Sequence, residues 1–234
     1  MKKALLEKLG IDNLIIIPFD EHISNLSPLE YIRDIIVEKI GPIKMIVGYD
    51  HRFGKNRSGS IIDLMKFAET FNFEVEQIEA EIVTEITVSS TKIRMALALG
   101  NAHEAATLLG YPYSFTGVVV KGMQLGRKIG YKTANLHLKD SLKRIPGNGV
   151  YAAHAYIGTK KLNGMMSIGN NPTIKDKGNS IEIHLFNFDS EIYDQTLKIE
   201  VVKKIREEKK FSNLDALALQ LQKDEKECRA ILRS

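Results

Sequence analysis

The sequence predicts a two-part chain, a parallel α/β sheet followed by a small antiparallel β-barrel. Short all-apolar runs alternate with helical stretches up to about residue 110. Beyond that point, short runs that alternate apolar and polar residues are separated by Gly, Asn, Pro and Lys, and the change falls near Tyr111-Pro112. Strand–helix alternation favours a parallel sheet with crossover helices, whereas successive short strands with turn signals favour a closed antiparallel sheet.

In the first half, Leu14 to Ile17 is an apolar run between Asn13 and Pro18 and reads as a buried parallel strand. Ser27-Pro28-Leu29-Glu30 places an N-cap, a proline at the first helical position and a glutamate where a capping box needs it. Tyr31, Ile32, Ile35, Ile36, Val37 and Ile40 then recur at helical spacing until Gly41-Pro42 ends the helix. Lys44 to Val47 reads as a second buried strand, Ser60 to Glu69 as a helix and Phe73 to Ile78 as a third strand. Helices over Ser90–Leu99 and Ala102–Leu109 complete a sheet of the nucleotide-binding type.

In the second half, Val118–Val120, Tyr151–Tyr156, Met165–Ile168, Ile181–Phe188 and Leu197–Val202 read as barrel strands. Asn163-Gly164 reads as a hairpin turn. A helix from about Leu214 to Leu232, with Leu217, Leu219, Leu221 and Ile231 as apolar positions, closes the chain. The domains expected are therefore 1–110 and 111–234.

Composition narrows the function. Of 234 residues, 33 are basic and 29 acidic, a net +4 too mild to indicate a nucleic-acid partner. Aromatic residues are only 7% and the basic residues cluster in loops, which also speaks against a nucleic-acid-binding barrel. No apolar run approaches the ~20 residues that span a bilayer, and Glu7 interrupts any signal-like start, so no membrane association is expected. The single Cys228 has no internal disulfide partner, which fits a reducing, cytoplasmic setting.

The most informative segment runs from Gly117 to Leu136, with four glycines and four basic residues between strand signals. Glycines let backbone N–H groups approach an anion closely, and flanking cations add charge. Its spacing is neither a P-loop nor a dinucleotide fingerprint. On composition alone the plainer reading, an exposed glycine-rich loop in a basic hairpin, outweighs a phosphate cradle.

The full spelling tips that balance. Gly117 to Leu136, with Gly122, Gly126, Arg127, Thr133 and Asn135, resembles the signature of flavokinases (riboflavin kinases). Further blocks follow in the family's order: Gly149-Val150-Tyr151-Ala152, Ser167 to Thr173, Ile181-Glu182-Ile183-His184, Phe186 to Asp189, Tyr193, and Ile205 to Phe211. The resemblance covers residues 112–234. Upstream, Val47 to Gly54 and Val88 to Arg94 resemble the adenylyltransferase module of bifunctional bacterial flavokinase/FAD synthetases, a nucleotidyltransferase-type α/β domain.

The resemblance implies a riboflavin kinase that uses ATP and Mg²⁺ to make FMN. Glu182 matches the catalytic glutamate, and Thr133 and Asn135 the metal-binding oxygens. Gly122, Gly126 and Arg127 would cradle phosphates, and Arg206 would lie near the flavin. His184 shares a strand face with Glu182 and reads as exposed; Phe186 and Phe188 read as core. The Asn170 to Thr173 loop would close over the site. In the upstream module, Ser90, Thr91 and Arg94 would serve a triphosphate at a helix start.

Two departures qualify these expectations. The family's opening His-x-Gly-His motif does not occur in this sequence, so about one βα unit of that module is expected to be missing and FAD synthesis by this chain is not expected. A shortened chain and a natural form without adenylylation both fit. Lys132 stands where the family has proline, which frees a backbone N–H and adds a cation. The competing reading, from a different class, is a flavin- or nucleotide-binding regulator with little turnover. Oligomeric state is open.

Overall fold

A computed structural model of the chain describes residues 2–80, 82–83, 86–122, 126, 129–138, 143–170 and 179–233. Contacts divide the chain into two compact units, Met1–Glu81 and Ile82–Ser234.

The first unit contains α1 (Lys2–Lys8), α2 (Glu21–Asn25), α3 (Pro28–Glu30), β1 (Lys44–Gly48), α4 (Ile61–Phe71) and β2 (Glu74–Ile78). Ser27 and Glu30 form the expected reciprocal capping box, and α3 runs on as a π-helical stretch over Tyr31–Val37. Ser60 and Asp63 cap α4 in the same way. β1 and β2 pair in parallel, with Lys44 opposite Glu74. Ile32, Ile36, Val47, Phe53, Leu64, Ala68 and Phe73 form the buried cluster between these elements. Gly54 adopts φ +71°, and a β-carbon there would lie 2.7 Å from the backbone nitrogen of Pro28, so the end of the Val47–Gly54 motif is held against the start of α3.

Two strand expectations are corrected here. Leu14–Ile17 is not a strand, and Ile16 is 79% exposed. An apolar run becomes a strand only where a neighbour can take its backbone hydrogen bonds, and among the described residues this sheet consists of β1 and β2 alone. For the same reason β1 is not buried on both faces; Val47 is its buried residue.

The second unit contains β3 (Ile82–Val83), β4 (Ile86–Thr87), α5 (Ser90–Ala98), α6 (Ala102–Leu109), β5 (Ser114–Val120), β6 (Ala134–His137), β7 (Gly149–Ile157), β8 (Lys160–Asn170), β9 (Asn179–Leu185), β10 (Thr196–Arg206) and α7 (Leu214–Ile231). Strands β5 to β10 close into an antiparallel barrel in the order β10-β5-β6-β9-β8-β7. Alternation does what the pattern predicts. Ile181, Ile183 and Leu185 point into the core with Phe115, Val119, Tyr151, Met166, Ile168, Leu197 and Ile199. Ala96, Leu97, Ala102 and Ala105 join the same cluster, so α5 and α6 pack on the barrel although they precede residue 111.

Asn163-Gly164 is not a turn. The β7–β8 hairpin turns at Gly158-Thr159, where Gly158 supplies a φ of +59°, and Asn163 and Gly164 lie within β8 opposite His154 and Ala153. Gly164 is small for another reason: a β-carbon there would come within 2.5 Å of the His184 carbonyl on β9. β6, a short strand hidden in the glycine-rich segment, carries no strong apolar run and was not among the strands expected.

Candidate active site

The β6–β9 ladder builds the site. Its register sets Asn135 opposite Glu182 and Ala134 opposite Ile183, which brings Thr133 beside the polar edge of β9. Thr133 Oγ1 donates a hydrogen bond to Glu182 Oε2 at 3.0 Å. On the other side of Glu182, β8 places Ser167 directly across. Because side chains alternate along β9, the inward face that buries Ile181 and Ile183 obliges Glu182 and His184 to share the opposite, half-buried face.

Thr133 lines two cavities. The larger, about 290 Å³, has Val150, Met165, Met166, Phe211, Leu217 and Leu221 in its wall, with Ser167, Glu182, His184, Arg206, Glu208 and Lys209 among its polar members. The smaller, about 80 Å³, runs between Val119, Lys132, Ala134, Ile183 and the Phe188–Tyr193 loop. A larger, more apolar cavity and a smaller, more polar one thus share Thr133, with Glu182 standing in the larger.

His184 is more than the exposed residue expected from the sequence. Its Nδ1 lies 2.7 Å from the Lys132 carbonyl, which can only accept, so Nδ1 carries a proton and donates it there. Its ring stands edge-on to Tyr131 (centroids 5.1 Å) and to Phe186 (5.8 Å). Phe186 is core, as expected, with the Arg229 guanidinium 4.4 Å from its ring; Phe188 is partly buried against the core and also borders the smaller cavity. Burial, with the Glu225 carboxylate nearby, raises the Tyr131 phenol above its ordinary range.

Space is tight at both expected glycines. A β-carbon on Gly122 would run into the Asn135 carboxamide, and one on Gly126 into the Tyr131 carbonyl. Tyr131 N–H in turn donates to the Gly126 carbonyl at 2.9 Å, closing the loop back on itself. Arg127 and Asn171 to Thr173 lie outside the described residues.

Arg206 borders the larger cavity, but its guanidinium is already engaged. It donates to both oxygens of Asp224 on α7 (2.6–2.9 Å) and to the Glu207 carbonyl (2.9 Å), and it lies 5.8 Å from the Phe211 ring centroid. Two register shifts near the end of β10 set this position, as bulges commonly re-aim the side chains around them. Ser90, Thr91 and Arg94 sit at the start of α5, exposed, and line neither cavity. Ser89, one residue earlier, is the N-cap, and Arg94 Nη2 reaches Thr91 Oγ1 at 3.4 Å. The residues that sequence reasoning missed are Tyr131, Met165, Met166, Leu217 and Leu221. As apolar or aromatic residues on a strand, a loop and a helix they carry no signal apart from core packing.

Family models match both halves of the chain. The family model described as riboflavin kinase matches residues 109–232, and the one described as FAD synthetase matches residues 1–92. The bifunctional riboflavin kinase/FMN adenylyltransferase of Listeria monocytogenes is 36% identical over 98% of this chain and 72% of its own length. That of Escherichia coli K12 is 34% identical over 96% and 71%. A crystal structure of a Streptococcus pneumoniae protein described as a macrolide-efflux protein superposes with a TM-score of 0.88 at 32% identity, covering 97% of this chain and 73% of that one. Among the described residues no helix is long and apolar enough to cross a membrane. A closed barrel with a carboxylate in its larger cavity, matched over its length by one kinase family and preceded by a match to FAD synthetase, leads to one assignment: the chain belongs to the bifunctional riboflavin kinase/FMN adenylyltransferase family, and its barrel unit is the riboflavin kinase.

Proposed function

We propose that Glu182 is the general base of the riboflavin kinase reaction and that the two cavities divide its substrates. The observation that carries this reading is the 3.0 Å contact from Thr133, which lines both cavities, to Glu182, which lines the larger. The larger, with Met165, Met166, Val150, Phe211, Leu217 and Leu221, suits a flat apolar ring system such as the isoalloxazine. The smaller takes part of the nucleotide. Glu182 accepts the proton of the ribityl 5′-hydroxyl as its oxygen forms a bond to the γ-phosphorus. The bond between that phosphorus and the β–γ bridging oxygen breaks, and ADP leaves.

The oxygens of Thr133 and Asn135 fit a Mg²⁺ shared with nucleotide phosphates. A threonine hydroxyl that donates to Glu182 keeps its lone pairs, and the described residues offer no group of three His, Cys, Asp or Glu as an alternative cage. Bound there, Mg²⁺ would neutralise charge developing on the phosphates. Gly122 and Gly126 allow close approach of backbone to phosphate, with Arg127 as an added cation, and Arg206 borders the flavin side. Ser90 and Thr91 fall within the FAD synthetase match, which ends at residue 92, and with Arg94 are assigned to the upstream adenylyl-transfer module. The kinase match that starts at residue 109 favours a sequence boundary at 110/111, although in the fold α5 and α6 pack on the barrel. The substrates fit a cytoplasmic enzyme.

The test is to incubate the purified chain with riboflavin, ATP and Mg²⁺ and to resolve the flavins by chromatography. FMN is expected from the parent. Glu182→Gln is expected to lower kcat by about 10²–10⁴-fold with riboflavin binding retained. Unchanged turnover in that variant would remove Glu182 from the role, and tight flavin binding without FMN would favour a regulator. FMN plus ATP is expected to give no FAD from these residues, which lack a His-x-Gly-His motif.

A further inference from the structure

Lys132 occupies an unusual place in the smaller cavity. Among the described residues that line it, Lys132 is the one cation, beside the carboxylates of Asp189 and Glu191. The other formally charged residues among those described in the lining, Asp189 and Glu191, are both acidic. The lysine is anchored at two points: its carbonyl accepts from His184, and its ammonium pairs with Asp189 across the cavity rim. The backbone is therefore fixed to β9 while the side chain spans to the opposite wall.

The ion pair itself is exposed, with Lys132 at 49% and Asp189 at 84%. Pairs this open to water contribute little to stability. The ammonium can therefore exchange partners at small cost, and a phosphate oxygen is a stronger one. The adjacent residue, Thr133, lines the same cavity and contacts Glu182, so an ammonium released from Asp189 shares that cavity with the Thr133 side chain.

We propose that Lys132 is a nucleotide-affinity residue, a cation parked on Asp189 that transfers to the polyphosphate of the incoming nucleotide. This rests on the assignment of the smaller cavity to the nucleotide. The decisive variants are Lys132→Met, Lys132→Arg and Asp189→Asn, with kcat and both KM values measured, and ADP affinity measured by calorimetry. Lys132→Met should raise the KM for ATP and the Kd for ADP roughly tenfold, with kcat and the KM for riboflavin within about twofold. Lys132→Arg should restore most of the affinity, and Asp189→Asn should tighten nucleotide binding by releasing the ammonium.

An unchanged ATP KM and ADP Kd in Lys132→Met would overturn the proposal while leaving kinase activity in place. So would a loss confined to riboflavin KM. If the parent forms no FMN, the kinase reading fails separately, and calorimetry still decides the role of Lys132. In that case tenfold weaker ADP binding would uphold it, and no ADP binding by the parent would reject it. Circular dichroism of each variant, with riboflavin binding as a second check, separates these effects from misfolding.

Discussion

Arg206 at the end of β10 and Asp224 in the middle of α7 form a buried ion pair, with the guanidinium on both carboxylate oxygens and the closest approach 2.6 Å. Asp224 is 2% exposed, and Gln220 donates to the same carboxylate at 2.8 Å. The pair ties the C-terminal helix to the strand that borders the larger cavity. Removing one partner leaves an uncompensated buried charge. Asp224→Ala is expected to destabilise the fold by about 3–5 kcal/mol, read from denaturant unfolding. The double variant Arg206→Met/Asp224→Leu should recover most of that loss; if it is no better than the single variant, the pair is not what holds α7.

Gly122→Ala should impair catalysis through Asn135. A β-carbon at this position meets the Asn135 side chain, which must move to accommodate it. The expected outcome is a higher Mg²⁺ requirement and a kcat lower by about tenfold or more, with Tm little changed, since the displaced group is a side chain at the cavity and not the barrel core. Full activity at the parent's Mg²⁺ concentration would count against Asn135 as a metal ligand.

His154 gives stability a pH dependence of known sign. Burial lowers its pKa, outweighing the hydrogen bond to Asn163 Oδ1 at 2.9 Å, which raises it. A base whose folded pKa is depressed binds fewer protons in the native state than in the unfolded one. Stability therefore falls as pH drops below the unfolded histidine value of about 6.5 and levels off below the folded value. Tm measured between pH 7.5 and 5 should decline in the parent and decline less in His154→Gln. Equal slopes would assign the decline to other groups.

Cys228 should be inert in the folded chain. It is fully buried on α7 against Ala152, Met165 and Phe186, and burial pushes its thiol up to about 12, with Asp224 adding to the effect. A thiol reagent is expected to label nothing under native conditions and one thiol per chain in guanidinium. Rapid native labelling would show that α7 leaves the barrel readily.

The second half of the fold was legible in the sequence because alternation and burial agree there. Ile181, Ile183 and Leu185 are apolar and point inward, and the strand pattern around them survives folding unchanged. The cap at Ser27 was legible because it is local, satisfied three residues on by Glu30. Leu14–Ile17 was misread because strand formation depends on a partner that the pattern of a single segment does not contain. Asn163-Gly164 was misread because its turn chemistry is overridden by the register of β8, which needs a small residue against the His184 carbonyl.

Of the site, residue identities came from the sequence: Glu182, Thr133, Asn135 and the glycines stand in one ordered spelling. Their working relationships did not. That Thr133 donates to Glu182, that His184 holds Lys132, that Lys132 reaches Asp189, and that Arg206 is already paired with Asp224 are contacts across 49, 52, 57 and 18 residues. Such partners are chosen by strand register and helix docking, which depend on the packing of the whole unit. One-dimensional spacing determines which face a side chain takes, and only tertiary structure decides what stands opposite it.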